Sequence, residues 1–221
     1  MERGGVLTRG VFVTFEGPEG AGKTTQIGRL GRLLDRRGIA HVVTREPGGT
    51  DLADRIRALL LDDANSGMHT RTEVLLMLAA RSEHVENKIR PALVEGKVVL
   101  CDRFTDSTLA YQGYGRKEDL AVLRTMNAYA TGGLSPDLTL VFDLPVEVGF
   151  ARVRKGREGL DRFEQAGRDF HEAVRRCFLD LVEAEPGRVK LIDASAPEDE
   201  VAAVVASVVL PLLARKGISL G

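Results

Sequence analysis

The stretch Val11-Phe12-Val13-Thr14-Phe15-Glu16-Gly17-Pro18-Glu19-Gly20-Ala21-Gly22-Lys23-Thr24-Thr25 decides the fold of this chain. Its first five residues are all β-branched or aromatic, which reads as a buried strand ended by Gly17. Gly17 to Thr24 satisfies G-x-x-x-x-G-K-[ST], and Ile27, Leu30 and Leu34 then recur at helical spacing up to the Arg36-Arg37-Gly38 stop. Strand, glycine-rich turn and helix in that order form a phosphate cradle. The glycines let successive backbone N–H groups turn inward, and the helix N-terminus adds positive potential. Gly17, Pro18, Glu19, Gly20, Ala21, Gly22, Lys23, Thr24 and Thr25 are therefore expected to hold a nucleoside triphosphate. Lys23 would reach its β- and γ-phosphates, and the Thr24 hydroxyl would ligate Mg²⁺.

Outward from this loop, short apolar runs alternate with helical patterns. Ile39–Val43, Val98–Cys101, Leu138–Phe142 and Val189–Ile192 read as further strands. Helical patterns cover Asp51–Leu61 and the sequence from Thr70 onward, where Thr70 and Glu73 fit a capping box and Val74, Leu75, Leu78 and Val85 are expected inward. That helix is expected to break before Pro91. Short, mostly apolar strands separated by helices imply an α/β fold, with about five parallel strands flanked by helices. Ligands of such sheets lie beyond the carboxyl ends of the strands.

Those strand ends carry arginines and carboxylates. After the second strand comes Thr44-Arg45-Glu46-Pro47-Gly48-Gly49-Thr50, and after the third come Asp102 and Arg103. A guanidinium grips phosphate bidentately, so Arg45 and Arg103 are candidate phosphate ligands, while Asp102 stands where a carboxylate would bind Mg²⁺ or its water. The segment Arg152–Arg168 has six basic residues (Arg152, Arg154, Lys155, Arg157, Arg162 and Arg168) against three acids (Glu158, Asp161 and Glu164), with glycines at 156, 159 and 167. An arginine-rich flap of this kind offsets the charge of two phosphorylated ligands and excludes water.

The 221 residues carry 31 Lys+Arg against 32 Asp+Glu, a net charge of −1, with 43% hydrophobic residues and no Trp. A chain this close to neutral lacks the basic excess of a nucleic-acid or anionic-membrane surface. Two cysteines, Cys101 and Cys177, make neither a disulfide framework nor a zinc site, so a reducing cytoplasm is expected. The polar Met1–Gly5 lacks the apolar stretch of a signal peptide, and Val201–Leu213 is too short to span a membrane. One P-loop domain over residues 1–221 is the expectation, with a lid at about 152–168.

The P-loop, TREPGGT at 44–50, Asp102-Arg103 with Ser107 and Ala110-Tyr111-Gln112-Gly113, and LDRFE at 160–164 together resemble the bacterial thymidylate kinases. The resemblance implies a nucleoside-monophosphate-kinase fold, transfer of the ATP γ-phosphate to dTMP with Mg²⁺, and a homodimer. It implies that Arg45 and Arg103 hold the dTMP phosphate and that Glu19 faces the sugar 3′-hydroxyl. Arg81 would hydrogen-bond the thymine edge, Ser107 and Gln112 would read the base, and Tyr111 would pack against the deoxyribose. Lys23, Asp102, Arg103, Arg154 and Arg157 form the implied catalytic set, with Thr24 and Asp102 for the metal. Ala194 and Ser195 would lie under adenine, and Arg154 would also meet ATP. Because the P-loop carries Glu19-Gly20-Ala21, the catalytic arginine is expected from the lid, with Arg154 and Arg157 ahead of Arg152. Met77 stands where the family usually stacks a Phe on thymine, and it can contact a base through its sulfur. Two other readings stay open: a kinase of another mononucleotide or of a nucleoside, and a P-loop regulatory NTPase.

Overall fold

A computed structural model of the chain describes residues 10–156, 163 and 166–221. Its centre is a five-stranded parallel sheet of β1 (Val11–Glu16), β2 (His41–Arg45), β3 (Val98–Asp102), β4 (Leu138–Asp143) and β5 (Val189–Asp193), in the order β2-β3-β1-β4-β5. Every residue of β1 is buried. That suits the middle strand of a sheet covered on both faces, where an apolar run rather than an alternating one is required. The helix after the phosphate loop, α1 (Lys23–Arg36), lays Ile27, Leu30 and Leu34 onto one face of the sheet. There they meet Val205, Val209 and Leu213 of α9 (Glu198–Arg215).

Register brings the polar strand ends together. Arg45 pairs with Asp102 and Asp102 with Phe15, so the carboxyl ends of β2, β3 and β1 finish at one edge. The expected second strand, 39–43, is displaced by two residues. Ile39 is buried and its N–H bonds Leu34 O at 2.9 Å, so it completes the helix exit instead of entering the sheet. The displacement carries Arg45 to the last position of the strand.

The next helices are α2 (Asp51–Leu61) and α3 (Thr70–His84). Thr50 caps α2 by accepting from Ala53 N at 3.3 Å. The expected capping box on α3 does not form. His69 is the cap, its Nδ1 accepting from Arg71 N at 3.2 Å, and Glu73 turns inward instead. Leu75 is 58% exposed, not inward, because Val74, Leu78, Arg81 and Val85 already define the buried stripe. Nor does the chain break before Pro91. A π-helical turn at Val85–Ile89 leads into α4 (Arg90–Val94), whose first turn holds Pro91, where a missing N–H costs nothing.

Beyond β3, α5 (Thr105–Thr108) runs into a second π-helical stretch at Leu109–Gly115, followed by α6 (Leu120–Thr131). After β4 come α7 (Val146–Gly156) and α8 (Arg168–Ala184). Among the described residues, no helix is long and apolar enough to cross a membrane.

Candidate active site

The phosphate loop is shaped by backbone that only glycine tolerates. Gly20 has φ +71°, and a Cβ there would lie 2.2 Å from Gly149 O on α7. Lys23 folds back over the loop and donates from Nζ to Gly17 O at 3.0 Å and Pro18 O at 2.9 Å. Burial pushes its ammonium down to about 8; Arg103 adds to that fall, while Glu19 and Asp102 oppose it. At the loop's other rim, Thr24 Oγ1 donates to Asp102 Oδ2 at 2.8 Å. One hydroxyl and one carboxylate meet here at the ends of α1 and β3. That sparse oxygen pair fits Mg²⁺, which keeps most of its ligands as water and phosphate. Among the described residues, no cluster of three or more His, Cys, Asp or Glu offers a metal cage.

A cavity of about 1050 Å³ opens over this loop. Its wall includes Glu19–Gln26, Arg45, Asp102 and Arg103 on one side and Arg152, Val153 and Ala194–Glu198 on the other. Thus Ala194 and Ser195, expected under a base, do line it. The expected lid arginines fall in different places. Arg152 reaches the wall and donates from Nη1 to Ala194 O at 2.9 Å. Arg154 is exposed and does not line the cavity, because it stands two residues round α7. Arg157 lies outside the described residues, as do Leu160, Asp161, Arg162 and Glu164.

A second cavity of about 120 Å³ adjoins the first, and Glu19, Glu46, Arg57 and Arg103 line both. The remaining wall of the second holds Met77, Arg81, Ser107, Tyr111, Gln112 and Phe163 among others. Apart from Arg45, every residue expected at the acceptor nucleotide therefore meets in this one space. Arg45 lines the larger cavity instead, more than half exposed and 3.2 Å from Asp54 Oδ1.

Between the cavities stands Arg103, held in an unusual backbone conformation at φ +69°. Its Nη2 donates to Glu19 Oε1 at 2.7 Å, its Nη1 to Gly17 O and Ser107 Oγ at 3.2 Å each, and its guanidinium lies 4.8 Å over the Tyr111 ring. Burial alone would raise the Glu19 carboxyl. Arg103 outweighs it, with Lys23 and the Tyr111 hydroxyl helping, and holds Glu19 down at about 2.

Arg81 is 3% exposed and enclosed. Nε donates to Glu46 Oε2 at 2.7 Å, Nη1 to Thr108 Oγ1 at 2.8 Å and also to Asn127 Oδ1, and Nη2 to Phe104 O at 3.0 Å. Four of its five N–H groups are thereby engaged, and Nη2 keeps one more to offer the cavity. His84 closes the same cluster, with Nδ1 3.0 Å from the other oxygen of Glu46 and Nε2 2.6 Å from Thr44 Oγ1.

Three contributors escaped the sequence reading. Glu46 lies in the quoted TREPGGT but nothing in its spacing marks it as the anchor of Arg81. Arg57 sits on α2 like any surface arginine, yet its Nη1 donates to Pro47 O at 2.8 Å and it lines both cavities. Glu16 ends β1 and accepts from Phe104 N at 2.7 Å, Ser107 N at 3.3 Å and Ser107 Oγ at 2.5 Å. It fixes the turn that presents Arg103. Burial, with Asp106 nearby, raises its carboxyl to about 7. Its position one residue before the phosphate loop was the available signal.

The family model for thymidylate kinase matches residues 15–205. The chain is 53% identical over 213 residues to the thymidylate kinase of Desulfovibrio desulfuricans, covering 94% of this chain and 98% of that protein. Against the thymidylate kinase of Symbiobacterium thermophilum it is 50% identical over 206 residues, covering 93% and 95%. A crystal structure of thymidylate kinase from Ehrlichia chaffeensis superposes with a TM-score of 0.74 at 32% identity, over 91% of this chain and 99% of that one.

Proposed function

The chain belongs to the thymidylate kinase family, and on that footing we propose how its own residues carry out the reaction. It is an ATP-dependent phosphotransferase that converts dTMP to dTDP. An oxygen of the dTMP phosphate attacks the γ-phosphorus of ATP, and the bond to the β–γ bridging oxygen breaks to release ADP. The observation that carries the assignment of sites is the shared wall. Glu19, Glu46, Arg57 and Arg103 face both cavities, so a donor in the larger and an acceptor in the smaller would meet at Arg103.

In this reading the phosphate loop and Lys23 hold the donor's phosphates, and Arg152 with Ala194 and Ser195 flanks its base. Arg103 and Arg45 take the acceptor phosphate. Fixed donors of this kind stabilise charge as it develops on the transferring group, without reorganising at that moment. Thr24 and Asp102 would hold Mg²⁺, which neutralises phosphate charge when bound. Tyr111 packs beside the sugar with its hydroxyl on Glu19, while Met77 supplies a soft wall for the base. Arg81 Nη2 donates to the base and the Gln112 oxygen accepts from it. We place Arg154 and Arg157 in a lid over about residues 152–168 of one kinase domain. We also propose a cytoplasmic homodimer. Leu75 on α3 and Val122 and Tyr129 on α6, large apolar side chains 58%, 53% and 91% exposed, are consistent with a face that pairs.

A coupled assay offering ATP and Mg²⁺ with dTMP, dUMP, dCMP, GMP and thymidine separately tests the reading. dTMP is expected to be the preferred acceptor. Turnover of another acceptor with none of dTMP would refute it.

A further inference from the structure

Glu73 on α3 is 1% exposed and lines neither cavity, yet its Oε1 accepts from Gln112 Nε2 at 2.8 Å. Its other oxygen faces Arg116 Nη2 at 3.9 Å. Gln112 is itself 1% exposed and lines the smaller cavity. A side-chain amide has two ends of nearly equal shape and opposite character, so its surroundings decide which end a ligand meets. An ionised carboxylate only accepts, which obliges the Gln112 NH₂ to face Glu73. Turning the amide over would set two acceptor oxygens against each other in a buried place and forfeit a charge-assisted bond. The Gln112 oxygen, without a partner among the described residues, is thus the end turned to the ligand.

We propose that Glu73 is a positioning residue that sets nucleobase selectivity by locking Gln112 as a hydrogen-bond acceptor. The inference rests on the reading above that the acceptor base occupies the smaller cavity. Arg81 can only donate, so the wall offers one donor and one locked acceptor. Thymine and uracil present the complement, an O4 acceptor beside an N3–H donor. Cytosine presents the reverse, an N4 amine beside a bare N3. A cytosine in this place meets donor against donor and acceptor against acceptor. Without Glu73 the amide could turn and satisfy half of that mismatch.

The test is Glu73→Gln, which keeps shape but lets residue 73 donate as well as accept. kcat/KM for dTMP and dCMP is measured in parallel, with thermal unfolding as a check on the fold. The ratio of dTMP to dCMP should fall about tenfold or more, as when a fixed polar complement is lost. Glu73→Asp, which remains an acceptor, should retain more of the preference. An unchanged ratio in a folded Glu73→Gln, with the original chain turning over dTMP normally, overturns this inference alone. No dTMP turnover by the original chain would overturn the site reading and this inference together. A measurement independent of variants is the NMR exchange of the Gln112 side-chain amide protons in the unaltered protein. Slow exchange is expected of a pinned NH₂, and fast exchange would refute the lock.

Discussion

Lys23 shows how a single residue can serve activity and stability with opposite signs. Its folded ammonium titrates at about 8, displaced from 10.5 first by burial and then by Arg103. Above pH 8 the free enzyme loses the positive charge that would meet ATP, so kcat/KM for ATP should decline there with a one-proton limb. Stability runs the other way. Between 8 and 10.5 the unfolded chain binds a proton that the folded chain has released, and folding becomes more favourable as pH rises. Lys23→Met should remove that rise from a comparison of urea midpoints across the window. A pH profile for ATP that stays level to pH 10 would contradict the assignment. At this scale the phosphate loop was legible in residue type and spacing, whereas most of the acceptor residues that line the smaller cavity were reached only through the family resemblance. Arg57 and Glu73 were reached by neither. Nothing in a lone helix arginine, or in a glutamate that also fits a capping box, says that tertiary packing will turn it inward.

At the scale of the element, the turn after β2 is a tightly constrained piece of the site. Gly49 has φ +97°, and a Cβ there would lie 2.5 Å from His84 Nε2 and 2.7 Å from Thr44 Oγ1. Gly49→Ala should therefore cost about 3 kcal/mol through combined backbone strain and clash, read from urea unfolding. It should also weaken dTMP more than ATP, since the displaced His84 holds Glu46 and Glu46 holds Arg81. A change under about 0.5 kcal/mol, the range of an ordinary surface substitution, would refute the packing argument. The same element shows why strand limits were misread. Ile39 is apolar enough to begin a strand, but the helix exit at Gly38 uses it first. Likewise Pro91 is a helix breaker by composition, and the preceding π-helical turn places it where a proline is tolerated.

Across the whole molecule, the near-equal count of acids and bases conceals a sorting by position. Lys23, Arg45, Arg103 and Arg152 all reach one cavity from four separate parts of the chain. Since the two cavities share Arg103 and Glu19, one molecule joining adenosine and thymidine through a polyphosphate should bind well below the Kd of either nucleotide alone, by effective concentration. Calorimetry that finds it no tighter than ATP would separate the cavities. The sequence by itself determined the strand–loop–helix at 11–36 and the parallel α/β class. These depend on local geometry and on periodicity, which neighbouring residues set. Only the tertiary structure decided that Arg152 rather than Arg154 lines the cavity, that Glu46 anchors Arg81, and that Glu73 faces Gln112 and not its own backbone. Each of those choices depends on the phase of a helix against the elements it packs on. That phase is set by how the sheet's two faces are filled, a property of the assembled core and not of any one segment.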